Sequence, residues 1–210
     1  DLGADVVKVE TPEGDATRKI GPASAQQMGP LYLGLNRNKR SLVLDLKKPE
    51  GRAAFLRLVE GADVVAYNVR PAAMARLKLT YEDLAAVNPR IVYVGMVGFS
   101  QRGRYGPAPA FDDLIQAATG LPAMLAISGG CEPRFVPLNI ADRSVGLYAF
   151  GVIASALYAR EKTGKGQRVD VPMFETMVPY ILGDHLYGEK YVPPKGEYGY
   201  PRLLATSRAR

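Results

Sequence analysis

A parallel α/β sheet is the fold class the sequence predicts, on three observations. Short apolar runs alternate with helix-patterned stretches through the first hundred or so residues, as in strand–helix–strand units with right-handed crossovers. The run IVYVGM at 91–96 is apolar throughout, as in a strand covered on both faces. The third observation is the stretch 137–171. Its roughly 20 nearly continuous apolar residues are too many for a typical strand. They give way to REKTGKGQ and then to a short strand-like run.

Taken in order, residues 6–9 (VVKV) form a strand that Glu10 closes. Residues 11–30, rich in Gly, Pro and polar side chains, form a long loop of the kind that carries function. A helical turn is predicted over 31–36 and a strand over 41–45 (SLVLD). Pro49 suits the first position of a helix reaching residue 59, with Gly61 behind it. Residues 63–66 form the next strand and 72–77 a short helix. Thr80 with Asp83 three residues on makes a near capping box for a helix over 81–87. After the strand at 91–96, the loop 98–110 carries Arg102, Arg104 and Tyr105, and a helix covers 112–119. The stretch 140–160 reads as a buried helix, stopped by Gly164 and Gly166. Residues 167–171 are the last strand, followed by a helix to residue 187 and a connecting segment, KYVPPKGEYGYP. A large domain is thus expected at 1–171, with 172–210 leading toward a second domain. The opening at Asp1, in what reads as a helix end, and the close on SRAR point to a piece of a longer protein.

Composition excludes several function classes. The 210 residues carry a net charge of +6, but the basic residues are interspersed. The longest cluster, 37–40, is short for a nucleic-acid footprint, and a phosphorylated small ligand fits this charge at least as well. The one long apolar stretch has Asp142, Arg143 and Ser144 at its start and many alanines, which argues for a protein core rather than lipid. No nucleic-acid or membrane partner is expected. A single cysteine, Cys131, rules out an internal disulfide framework and fits a reducing, cytoplasmic setting. No basic residue adjoins that thiol in sequence, so it is not expected to be chemically active. With one histidine, His185, neither a Ser-His-Asp triad nor a His-based metal site is expected within the chain.

Carboxylates remain for the chemistry. Asp142, at the entrance of the long helix, is either a cap or a catalytic group. Asp112-Asp113 is either a helix start or an acid pair. In parallel sheets the ligand crevice lies beyond the carboxyl ends of the strands. That rule selects Glu10-Thr11, Leu46-Lys47, Asn68-Val69-Arg70 and Gly98-Phe99. Asn68 and Arg70 could equally be turn residues, and Lys47 a solvated lysine.

Eight blocks in order resemble the class III CoA-transferases, the family of formyl-CoA and crotonobetainyl-CoA:carnitine CoA-transferases, with α-methylacyl-CoA racemases as relatives. They are VVKVE (6–10), GDATR (14–18), NRNKRSLVLDLKKPEG (36–51), ADVVAYNVRP (62–71), NPRIVYVGMVGFS (88–100), FDDLIQAATGL (111–121), ADRSVGLYAFG (141–151) and REKTGKGQRVDVPM (160–173). The resemblance implies an open, mostly parallel Rossmann-like domain, a smaller second domain and interlocked homodimers. It places Asp142, in an A-D-x-x-x-G block, as the nucleophile that attacks an acyl-CoA thioester and forms an aspartyl mixed anhydride. It lines up Leu44, Lys47, Asn68, Val69, Arg70 and Arg76 with positions that hold coenzyme A. The implied substrates are an acyl-CoA and a carboxylic acid, with no permanently bound cofactor. Two positions depart from the family pattern. Thr11 stands where the family often has Arg, and Phe111 where the racemases carry a proton-transferring His. The family's first strand and its late Gly-rich loop lie outside these residues. Acid specificity is expected in such outside loops and in the 123–134 region. The alternatives are a racemase and a CoA-binding fragment without turnover.

Overall fold

The structure is a computed structural model and describes residues 2–23 and 25–199. β1 (Val7–Glu10) is followed by a loop with one 3-10 turn, Ala16–Lys19, and by α1 (Pro30–Leu35). β2 (Arg40–Val43) returns parallel to β1, pairing Val7 with Arg40 and Glu10 with Val43. α2 (Pro49–Glu60) begins on Pro49, whose fixed φ suits the first turn. At Gly51 a Cβ would lie 2.1 Å from the Asp45 carbonyl, so this helix starts hard against the loop that leaves β2.

β3 (Val64–Tyr67) leads through α3 (Pro71–Arg76) and α4 (Tyr81–Ala85) to β4 (Val92–Val97). The capping box at α4 is complete: Asp83 N–H donates to Thr80 Oγ1, and Thr80 N–H donates to Asp83. α5 (Asp112–Ala118), α6 (Leu121–Gly129) and the 24-residue α7 (Ile140–Thr163) follow. Gly164, at φ 73°, closes α7 in the left-handed conformation that a side chain resists. β5 (Gln167–Pro172) and α8 (Met173–His185) complete the fold, with a last 3-10 turn at Tyr187–Lys190.

All strand pairs are parallel, as the alternation predicts. Among the described residues they fall into two sheets, β1–β2 and β3–β4–β5. β4 is the covered central strand, with Val92, Tyr93, Val94 and Val97 all buried. One core cluster joins β4 and β5 to α5, α7 and α8 through Val94, Ile115, Val145, Val171 and Met177. The other gathers Val59, Met74, Leu79, Leu84 and Ile91 around Tyr93, whose hydroxyl donates to the Leu79 carbonyl at 2.8 Å.

Two sequence expectations need correction. The stretch 121–129 carries a helix that was not predicted. Gly120 before it and Gly130 behind it are both left-handed, and Pro122 sits in its first turn. The 140s helix is not buried. Ala141, Val145, Ala149 and Ala156 face the core, whereas Leu147 is 77% exposed and Tyr158 66%. An all-round apolar helix hides its cylinder only where neighbours exist, and here one side alone meets β4, β5, α5 and α8. Among the described residues it is the one helix long and apolar enough, by length and composition, to cross a membrane.

Candidate functional site

Asp142 is the third residue of α7, and Asn139 occupies the cap position without a side-chain cap bond. The cap reading of Asp142 is therefore wrong. What remains is an exposed carboxylate in a first turn, facing a groove of about 480 Å³. Leu31 and Leu35 of α1 form one wall; Asn139, Asp142, Arg143 and Leu147 form the other.

The backbone of that turn is anchored from α5. Asp142 N–H donates to Asp112 Oδ1 at 3.0 Å. Gln116, one turn further along α5, donates to Asp112 Oδ2 at 2.6 Å and to the Leu138 carbonyl at 3.3 Å. Its Oε1 accepts from Val136 N–H at 3.0 Å. Asp112 and Gln116 are both buried, so Asp112 serves as an internal acceptor while its neighbour Asp113 points to solvent. Asp112-Asp113 is no acid pair.

The Asp142 carboxyl is pushed up from the ordinary aspartate value. Although the residue is exposed, the protein around its carboxyl strips part of its water, which contributes most; the Asp112 charge adds to this, and a hydrogen bond from Asn139 opposes both. A second, largely apolar hollow of about 520 Å³ is lined by Leu125, Arg134, Phe135, Val136 and Pro137. It includes part of the 123–134 region that the sequence marks for specificity. Exposed Cys131 lies beside it in sequence, past the end of α6.

The six proposed CoA residues lie just past strand ends or on α3. Leu44 follows β2, and its N–H donates to the Glu10 carbonyl at 2.9 Å. Lys47 is exposed, with its N–H on Asp45 Oδ1 at 3.1 Å. Asn68, Val69 and Arg70 are exposed after β3, and the Arg70 carbonyl accepts from Ala73 and Met74 at the start of α3. Arg76 is the exposed last residue of that helix. Leu46 and Leu77, the sequence neighbours of Lys47 and Arg76, pack against the same core cluster. Both cations thus adjoin residues of that cluster, while Asp142 stands on α7, which packs in the other cluster.

Sequence reasoning missed the knot at Glu10. This buried carboxylate accepts from Arg18 Nε at 2.7 Å and Nη2 at 2.8 Å, from Tyr32 at 2.9 Å, and from Ser41 and Asp15 N–H at 3.0 Å. The paired Arg18 guanidinium, foremost, holds its carboxyl far below the carboxylate range. Because Tyr32 lies on α1, the knot also sets the helix that walls the groove with Leu31 and Leu35.

The profile of CoA-transferase family III matches residues 1–199. The chain belongs to that family. Among curated relatives of this family III chain, acetyl-CoA:oxalate CoA-transferase of Acetobacter aceti is 43% identical over 183 residues, 86% of this chain and 46% of that protein. Succinate–glutarate CoA-transferase of Agrobacterium fabrum is 37% identical, covering 89% and 48%. Human succinyl-CoA:glutarate CoA-transferase is 34% identical, covering 90% and 44%. The chain spans about half the length of these relatives. In three dimensions it is similar to a CaiB/BaiF family protein from Brucella suis, with a TM-score of 0.84 at 34% identity, over 97% of this chain and 54% of that one.

Proposed function

We propose that this chain carries the nucleophile of an enzyme that moves coenzyme A between an acyl-CoA and a carboxylic acid. The observation that carries the reading is Asp142: an exposed carboxylate on a helix's first turn, its backbone pinned, opening on a groove whose facing wall, Leu31 and Leu35, is apolar. Relatives named for acetyl-CoA and oxalate, and for succinate and glutarate, support the reaction class.

Four displacements balance the exchange. An Asp142 oxygen attacks the thioester carbonyl, the C–S bond breaks, and CoA thiolate leaves an acyl–aspartyl anhydride. The thiolate then attacks the aspartyl carbonyl, releasing the donor acid as carboxylate and leaving an aspartyl-CoA thioester. The acceptor carboxylate attacks that thioester and expels the thiolate, giving a second anhydride. Finally the thiolate takes the acceptor acyl group and frees Asp142. Each step joins an activated carbonyl to a nucleophile already in place, which is the advantage of covalent catalysis. Lys47, Asn68, Arg70 and Arg76, with the backbone at Leu44 and Val69, hold the CoA portion, the cations meeting its phosphates.

A racemase would need a second proton-transfer group beside Asp112. Phe111, 76% exposed, has none to offer there. With the exchange reading go a CoA-binding domain over 1–171, a 172–210 connection to a second domain, an interlocked homodimer and a cytoplasmic setting. The uncovered face of α7 supports the homodimer. Incubating the full-length protein with an acyl-CoA, trapping with hydroxylamine and mapping peptides by mass tests the central step. Modification at Asp142 is expected, and turnover without it would remove Asp142 from the chemistry.

A further inference from the structure

Gln116 has no role in the exchange as written, yet it is the most completely enclosed polar side chain near Asp142, with no exposed surface. Both ends of its amide are used: the NH2 reaches Asp112 and the Leu138 carbonyl, and the oxygen takes Val136 N–H. Buried amides are seldom spent on three partners without consequence, because each unmade bond would leave a costly polar orphan. The partners are not scattered. Val136 belongs to the wall of the apolar hollow, Leu138 leads into α7, and Asp112 holds the N–H of Asp142 itself.

We propose that Gln116 is a positioning residue for the Asp142 nucleophile. By fixing Asp112 from one side and the 136–138 strand of chain from the other, it holds the hollow's wall and the first turn of α7 as one rigid unit. A substrate seated against Phe135 or Val136 is thereby held at a set distance from the attacking oxygen. A sub-ångström error at that distance is what covalent catalysis tolerates least. This rests on the assignment of Asp142 as nucleophile.

The polarity of the amide supplies the test. Gln116→Leu removes both ends of the strut. Gln116→Glu keeps the shape and the acceptor for Val136, but an ionised glutamate cannot donate to Asp112 and repels it. When protonated it can donate again. Asp142 is tied to this cluster through its backbone N–H on Asp112, and its carboxyl feels the Asp112 charge. In the full-length protein, the rate of Asp142 acylation by an acyl-CoA, trapped with hydroxylamine, and the Kd for CoA would be measured from pH 8 downward, with circular dichroism to check folding. Gln116→Leu should lower the acylation rate at least about tenfold with the Kd for CoA unchanged, a tenfold loss being what 1.4 kcal/mol of misplacement produces. The rate of Gln116→Glu relative to wild type should rise as pH falls. A ratio flat with pH, or a folded leucine variant that acylates normally, overturns the proposal. If the leucine variant does not fold, the glutamate ratio decides. Wild-type protein that exchanges CoA without labelling Asp142 overturns the nucleophile assignment and this role together. Labelled wild type with an indifferent Gln116 overturns this role alone.

Discussion

At residue scale the proposed exchange turns on Asp142. Asparagine keeps the size and polarity of aspartate but has no anionic oxygen, so Asp142→Asn should bind CoA normally and lose exchange by three orders of magnitude or more, on the order of a lost covalent nucleophile. The fold should survive, and the pKa shift gives the sign. A carboxyl raised above its unfolded value makes the native state bind the extra proton, so its cost to stability is present above the raised pKa and disappears as pH falls below the unfolded one. The asparagine variant should therefore melt at or slightly above the wild-type temperature at neutral pH, with the two converging in acid. Thermal scans at two pH values beside an exchange assay check this. A clear loss of stability at pH 7 would contradict it. The same shift predicts that wild-type exchange declines in acid earlier than an ordinary aspartate would require, since only the ionised form attacks.

A second residue-scale prediction concerns cofactor contact. Arg76 is exposed at the end of α3, so Arg76→Ala should leave the melting temperature within experimental error. It should weaken CoA binding by about tenfold, the order of one charge-assisted contact to phosphate. Calorimetry showing unchanged affinity would remove Arg76 from the binding set.

At the scale of elements, the Glu10 knot decides how the groove's first wall is held. Glu10→Ala takes the carboxylate from Arg18, which keeps the Tyr32 hydroxyl and the Gln27 carbonyl, and removes the acceptor of the Tyr32 and Ser41 hydroxyls, so it should cost about 3 kcal/mol, the order seen when one partner of a buried pair is removed. The pH dependence has the opposite sign to that of Asp142. A depressed carboxyl lends stability that is present above its unfolded pKa and lost as pH falls toward the native one. Denaturant melts should thus show the gap between variant and wild type narrowing in acid. The contrast between this knot and the strands explains what could be read beforehand. β3 and β4 were legible as local apolar runs, β1, β2 and β5 as short runs mixing apolar with polar residues between turns, and the α4 capping box because its partners are three residues apart. Glu10 draws on residues as distant as Ser41, and Gln116 on Val136, so nothing in their neighbourhoods announces them. α6 is a different case. Its glycine and proline signals were present, but its composition, small and apolar on all sides, gives no face by which to recognise a helix.

For the whole molecule, the long helix is where composition misleads. Its apolar letters state that α7 is to be covered on every side, but they do not say by what. In the fold the core supplies one side only, leaving Leu147, Tyr148, Phe150 and Tyr158 each more than half exposed. An apolar strip of this kind is costly in water and marks a contact surface. A second copy of the protein is the occupant that the family resemblance implies. The prediction is that full-length protein runs as a dimer in light scattering, and that Leu147→Asp, on the strip and at the groove's rim, shifts it toward monomer. The buried face is untouched, so helical content should persist. Because Leu147 also borders the Asp142 groove, exchange should fall with dimer content, and raising the protein concentration should recover part of it by mass action. An aspartate variant that stays dimeric at wild-type concentrations would assign the strip to some other cover.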